Sequence, residues 1–289
     1  TAYAGRLSLS HATLCPGKDV GTMELPRSLS ILSSPKPTTK AFYLVDGNGR
    51  PDWRVDYDTA NAMLRGRKFY RHQGEAKESE YLRAVDNAHP GKDDQSRSVR
   101  GVRRPGNVFC FQIDFDNLAD VELGALLWSL ELPFEEAQGH HRLGYAKPLG
   151  FGSVKIDITS LRILRPNERY QGLDTESGWR DDLDAKETWI GKFRAAMQEA
   201  FGTSFYGLDN IQDLEALLGK VPTRPVHYPR PPVTDGGIPD RALPEGHNFE
   251  WFVGNNKQSG PHIAMGTATE DDGLPLIDRD GIKLKPPKK

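Results

Sequence analysis

The chain has 289 residues, 37% hydrophobic and 27% charged, the balance of a soluble globular protein of one large domain or two small ones, with no run near the roughly 18 apolar residues of a membrane span. Its 38 Lys and Arg against 40 Asp and Glu give a formal net charge of −2, so any nucleic-acid footprint must be local. Two cysteines, Cys15 and Cys110, exclude a disulfide framework and a cysteine-only zinc site, and with no basic-then-apolar leader in view they point to a reducing, cytoplasmic compartment.

Residues 3–14 alternate, with Leu7 and Leu9 on one side and Arg6, Ser8 and Ser10 on the other, which predicts a half-buried strand. Turn signals then dominate to residue 51 (Pro16-Gly17, Pro35-Lys36-Pro37, Asp46-Gly47-Asn48-Gly49), leaving short strand-like pieces at 28–32 and 40–45. Residues 52–105 are polar and mixed. A helix is expected at 81–87, and 92–106 carries almost no apolar content.

Residues 107–115 are better defined. Phe109, Phe111, Ile113 and Phe115 alternate with Val108, Cys110, Gln112 and Asp114 as in a strand. Asp120 is placed to cap a helix to about residue 130, with Leu123, Leu126, Leu127 and Leu130 on one stripe and Pro133 ending it. A second strand follows at 153–158, with Val154, Ile156 and Ile158 inward. Asp184 and Glu187 suggest a capping box for a helix bearing Trp189, Phe193, Ala196, Met197 and Ala200, and a shorter helix spans 210–218 before Gly219. Beyond residue 220 the chain is proline-rich and irregular, with a strand expected at 249–253.

Strand, helix, loop and strand, each strand apolar on one side, imply a sheet covered by helices on one face and open on the other. That is the half-unit of an α+β, ferredoxin-like fold of RNA-recognition-motif type. We therefore expect a domain over 1–219, with insertions at about 15–51 and at about 52–106, the second of them basic. Residues 220–289 are expected as a proline-rich tail packed on that domain or on neighbours. The chain opens at Thr1, as a trimmed product or a piece of a longer polypeptide would.

The stretch from Gly144 to Ser153 carries the most chemistry. Gly144, Gly150 and Gly152 let backbone approach a ligand, Lys147 adds charge, and Tyr145 and Phe151 add rings, with His140, His141 and Arg142 just before. Single-stranded nucleic-acid sites combine these features, whereas a P-loop needs Gly-Lys-Ser/Thr followed by a helix. A glycine-rich connection without a ligand is the plain alternative. Arg65, Arg67, Lys68 and Arg71, with His72, Phe69 and Tyr70, form a basic-aromatic cluster, and Arg97, Arg100, Arg103 and Arg104 form a second basic run. A solvated face is the plain reading of the first, and a disordered basic loop that binds nothing specific that of the second. The histidines show no zinc spacing, no Gly-x-Ser-x-Gly elbow occurs, and Asp19 sits in a turn where a divalent cation is conceivable.

The loop 144–153 running into Val154-Lys155-Ile156 resembles the glycine-rich C-terminal signature of the RAMP superfamily of CRISPR-associated proteins. Asp116-Asn117-Leu118 and Val121-Glu122-Leu123-Gly124-Ala125-Leu126-Leu127 precede it as that family's strand end and helix do. Similar to one branch of the family are Leu32-Ser33-Ser34-Pro35-Lys36-Pro37-Thr38, Leu64-Arg65-Gly66-Arg67-Lys68-Phe69-Tyr70, His227-Tyr228-Pro229-Arg230 and Phe249-Glu250-Trp251-Phe252-Val253-Gly254-Asn255. The matches run in order from about residue 5 to 257.

The resemblance implies a backbone subunit or domain of a type III (III-D/III-E-like) RNA-guided effector in antiviral defence. Its expected partners are CRISPR guide RNA, complementary target RNA and other effector subunits, with no membrane. Carried over by position, residues 144–152 would line the guide RNA, with Arg142 and His72 beside them. Arg65, Arg67, Lys68 and Arg71 would contact phosphates, and Lys36 would lie in the loop-and-thumb region at 15–39. Relatives that cut target RNA use a loop aspartate and a divalent metal. Asp19 is the one aspartate of the first 45 residues and so the candidate, with Mg the expected cofactor only if the chain cuts; binding itself needs none. A metal-dependent endoribonuclease and a purely structural assembly protein are the alternative readings.

Overall fold

A computed structural model describes residues 5–32, 40–50, 52, 54–66, 69–74, 78–83, 97–172, 174, 176–219, 226, 229, 232–235, 238–242, 248–257, 263 and 267–269. The architecture is mixed α/β, with short antiparallel strand pairs and six α-helices among the described residues. The helices are α1 (Glu78–Tyr81), α2 (Asp120–Glu131), α3 (Pro166–Arg169), α4 (Lys186–Phe201), α5 (Asp209–Leu218) and α6 (Asn248–Lys257). None of them is long and apolar enough to cross a membrane. Two compact units emerge: the first is Thr1–Gly21, Pro105–His141 and Val154–Lys220, the second Thr22–Arg104, Arg142–Ser153 and Val221–Lys289.

In the first unit, Leu7–Leu9 pairs antiparallel with Ile113–Phe115, and Thr13–Leu14 with Phe109–Cys110. The expected continuous strands are each broken in two. Ser10 N–H donates to the Gln112 carbonyl at 2.9 Å while Thr13 faces Cys110, so His11 and Ala12 together oppose the single residue Phe111. One extra residue on one strand is a β-bulge, which shifts the register by one. Cys15 and Cys110 are joined in a disulfide, Cα–Cα 5.4 Å. Two cysteines do exclude a framework of several bridges, but not this one bond between segments 95 residues apart.

Helix packing supplies this unit's core. Leu123, Leu127 and Trp128 of α2 meet Trp189 and Ile190 of α4, with Phe134, Leu161, Phe205, Ile211 and Leu218 around them and Phe115, Ile158 and Ile163 against its edge. Of the stripes expected from spacing, Leu123, Leu127 and Trp189 are buried and Phe193 and Met197 pack against the core, whereas Leu126 and Leu130 are half-buried outside it, Ala200 is exposed, and Trp128 and Ile190 complete the contact. Gly124 lets the two helices meet: a Cβ there would stand 2.0 Å from the Trp189 carbonyl oxygen. The Glu131 carboxylate accepts from Lys186 Nζ at 2.5 Å and from the Ile158 amide at 2.8 Å, so this buried charge is paired.

The helix starts differ from expectation. Ala119, not Asp120, is the N-cap of α2, and Asp120 is free to pair with Lys192 of α4. Glu122 reaches back to accept the Ala119 N–H at 2.8 Å and also pairs with Arg6. No Asp184–Glu187 capping box forms, because a 3-10 turn, Leu183–Ala185, leads directly into α4.

The second unit contains two small clusters. Leu29, Tyr81, Leu82, Ala146 and Leu149 form one; backbone bonds between residues 28–30 and 81–83 hold its floor, including Ser30 N–H to the Tyr81 carbonyl at 2.8 Å. Trp251 and Ile263 form the other with Phe42 and Phe252. Residues 249–253, expected as a strand, lie inside α6. Asn255, one turn beyond Trp251, accepts the Ile263 N–H at 2.7 Å and donates to its carbonyl at 3.0 Å. The apolar run is too short for periodicity to separate helix from strand.

Candidate functional site

The glycine-rich loop of the second unit is pinned from below. Ala146 and Leu149 are 5% and 2% exposed within the Leu29–Tyr81–Leu82 cluster, and Phe151 packs edge-on against Tyr81 with ring centroids 5.1 Å apart. Between them Lys147–Leu149 is a 3-10 turn, entered through Ala146 at φ +58° and left through Gly150 at φ +94°. The stem closes where Leu143 N–H donates to the Gly152 carbonyl at 2.8 Å. Gly152, at φ +81°, is required there: a Cβ would sit 1.8 Å from the Leu143 carbonyl oxygen.

Above this base the loop is open. Gly144 is exposed at φ +85°, with nothing within 4 Å of where a Cβ would be, and Tyr145 is 55% exposed. The Gly144 and Tyr145 amides donate to no protein group among the described residues. Those of Leu149, Gly150 and Phe151 turn inward, to the carbonyls of Ala146, Lys147 and Ala146. Phe151 is therefore a packing residue as well as a loop ring, and Tyr145 is the exposed aromatic.

Arg142 runs beneath. Its Nη1 donates to the Ser153 hydroxyl at 2.6 Å and its Nη2 to the Lys147 carbonyl, while its buried Nε has no partner. Burial holds this guanidinium below its ordinary pKa, and no carboxylate pairs with it among the described residues. A half-buried arginine with no counter-ion among the described residues leaves a positive potential at the loop. The Ser153 hydroxyl also hydrogen-bonds His72 Nδ1 at 2.8 Å, and Gln73 Nε2 donates to the Pro148 carbonyl at 2.6 Å. Lys147, half-buried, makes no ion pair among the described residues.

Of the sequence-derived candidates, Arg142, His72, Gly144, Tyr145, Lys147, Gly150, Phe151 and Gly152 thus share one neighbourhood. Arg65 holds its backbone on the Tyr43 carbonyl at 2.9 Å, next to the pairing of Leu44–Val45 with Met63–Leu64, and Arg71 donates to the Ala268 carbonyl. Arg67, Lys68 and Lys36 lie outside the described residues. Gln73 is a member of the site that the sequence did not single out, and Ser153, the end of the glycine-rich stretch, was given no role there, since their polarity gives no hint of a partner.

Asp19 sits in the first unit, where its Oδ1 accepts the Gly21 N–H at 2.7 Å and so closes its own turn. No group of three or more metal-ligating side chains occurs among the described residues. No protein-family model matches this chain, and no curated protein matches it.

Proposed function

We propose that the chain is an RNA-binding backbone component of a type III CRISPR effector, a RAMP-superfamily protein with a ferredoxin-like palm. In this reading it grips guide RNA and the guide–target duplex beside other effector subunits in the cytoplasm. The supporting observation is the Arg142 guanidinium, half-buried and, among the described residues, without a counter-ion, under a loop whose Gly144 and Tyr145 amides donate to no described group. An anionic backbone with stackable bases answers all three features: phosphate for the cation, phosphate oxygens for the amides, a base for Tyr145. Retention of RNA, not its cleavage, is the activity proposed.

The test is copurification. Expressed with its neighbouring subunits and a guide-encoding array, the chain should emerge with RNA of uniform length, and Tyr145→Ala with Lys147→Glu should reduce that RNA several-fold while subunit recovery stays the same. RNA recovery unchanged by the double substitution would reject contact at this loop and favour a purely structural assembly role.

A further inference from the structure

We propose that the Cys15–Cys110 disulfide is a thiol-responsive lock on the turn at residues 16–21 of the first unit. The bond joins two short strands whose other links are few: Thr13 opposite Cys110, Leu14 opposite Phe109, and Cys15 N–H to the Val108 carbonyl at 2.9 Å. The bulge at His11 and Ala12 separates this piece from the ladder of Leu7–Leu9 with Ile113–Phe115. Packing adds little, because Val108 and Phe109 are 45% and 44% exposed and neither cysteine belongs to the helix-packed core. Beyond the bond, the turn is held by Asn107, whose Oδ1 accepts the Val20 N–H at 3.2 Å and whose Nδ2 donates to the Gly21 carbonyl at 3.0 Å, by the Val108 N–H on the Lys18 carbonyl at 3.4 Å, and by its own bonds from Lys18 N–H to the Cys15 carbonyl and from Gly21 N–H to Asp19. A segment with few buried contacts opens locally at low cost, and its cross-link is then its main restraint.

The two cysteine residues are unequally exposed: Cys15 is 7% exposed, whereas Cys110 is an exposed residue. A dithiol reductant's thiolate attacks the Cys110 sulfur, forming a mixed disulfide and expelling Cys15 as a thiolate that takes up a proton. The reductant's second thiolate then displaces Cys110, which is protonated in turn, and the reductant leaves as its own disulfide. Two electrons and two protons have passed to the protein. Disulfides in a reducing compartment are typically transient or redox-sensing, so a cytoplasmic home and this bond are compatible if the bond opens and closes.

The test compares the aerobically purified protein with and without dithiothreitol, by alkylation mapping and by hydrogen exchange. The expected result is cysteines blocked to alkylation until reduction, then exchange about tenfold faster at residues 13–21 and 106–110 with α2 and α4 unchanged. A Cys15→Ser, Cys110→Ser double variant should show the fast exchange with or without reductant. Free alkylation of both cysteines before reduction, unchanged exchange in the turn after it, or loss of protection in α2 and α4 together with the turn would each overturn the proposal.

Discussion

Arg142 spans the base of the glycine-rich loop, from the Ser153 hydroxyl at 2.6 Å to the carbonyl of Lys147 six residues before the loop's end, so one guanidinium both shapes the loop and charges it. Those two duties separate on substitution. Arg142→Met removes the cation and both tethers; a charge-assisted bond contributes about 1.5–3 kcal/mol, so affinity for a single-stranded RNA should fall about 10- to 100-fold. Arg142→Lys keeps the charge without the planar fork, and should fall between the two. Fluorescence anisotropy across a salt series reads both, and the Met variant should lower the salt slope by about one unit.

Two glycines of the same loop should behave differently. Gly152→Ala drives a Cβ into the Leu143 carbonyl at positive φ, and should destabilise the second unit by about 3 kcal/mol or more. Gly144→Ala meets open space and carries backbone strain alone, about 1–2 kcal/mol. Denaturant titration of both variants checks the order.

The glycine-rich loop and the helical stripes were legible because period and composition carry them: Leu123 and Leu127, Trp189 and Phe193 recur on one face, and their burial follows. The bulge at His11 and Ala12 was not legible, since alternation is kept on either side of it and only the partner strand reveals the shift. Nor was the Cys15–Cys110 bond, which depends on a pairing 95 residues apart. The site itself was half visible. Gly144, Tyr145 and Lys147 announce a loop, but that Arg142 passes beneath it to Ser153, and that Phe151 turns toward Tyr81, are facts of the third dimension.

In the first unit the close approach of α2 and α4 rests on one missing methyl. Gly124→Ala places a Cβ 2.0 Å from the Trp189 carbonyl, and the helices must part. Overpacking of this kind costs about 3 kcal/mol, so the melting temperature should drop by roughly 6–12 °C. Gly191→Ala, on the same α4 with nothing within 4 Å, should leave it unchanged or raise it slightly. Circular dichroism melts of the pair give the comparison.

Acid should loosen the start of α2. The Arg6 side chain, and then the Ala119 amide, lower the Glu122 carboxyl from 4.5 to about 2. A depressed carboxylate pKa stabilises the folded chain above the ordinary value, and that contribution is lost as pH falls from about 4.5 toward about 2. Glu122 is exposed, so the effect is small. Glu122→Gln should melt lower than the parent at pH 7 and converge with it near pH 2, as read from thermal melts across that range.

Photocross-linking to RNA tests the central claim most directly. The assembled complex, carrying a guide substituted with 4-thiouridine, is irradiated and the attached peptides are located by mass spectrometry. The account predicts cross-links on the peptide containing Gly144, Tyr145 and Lys147, lost on Arg142→Met. Cross-links confined to other segments, with that peptide unmodified in a complex that retains its guide, would contradict it.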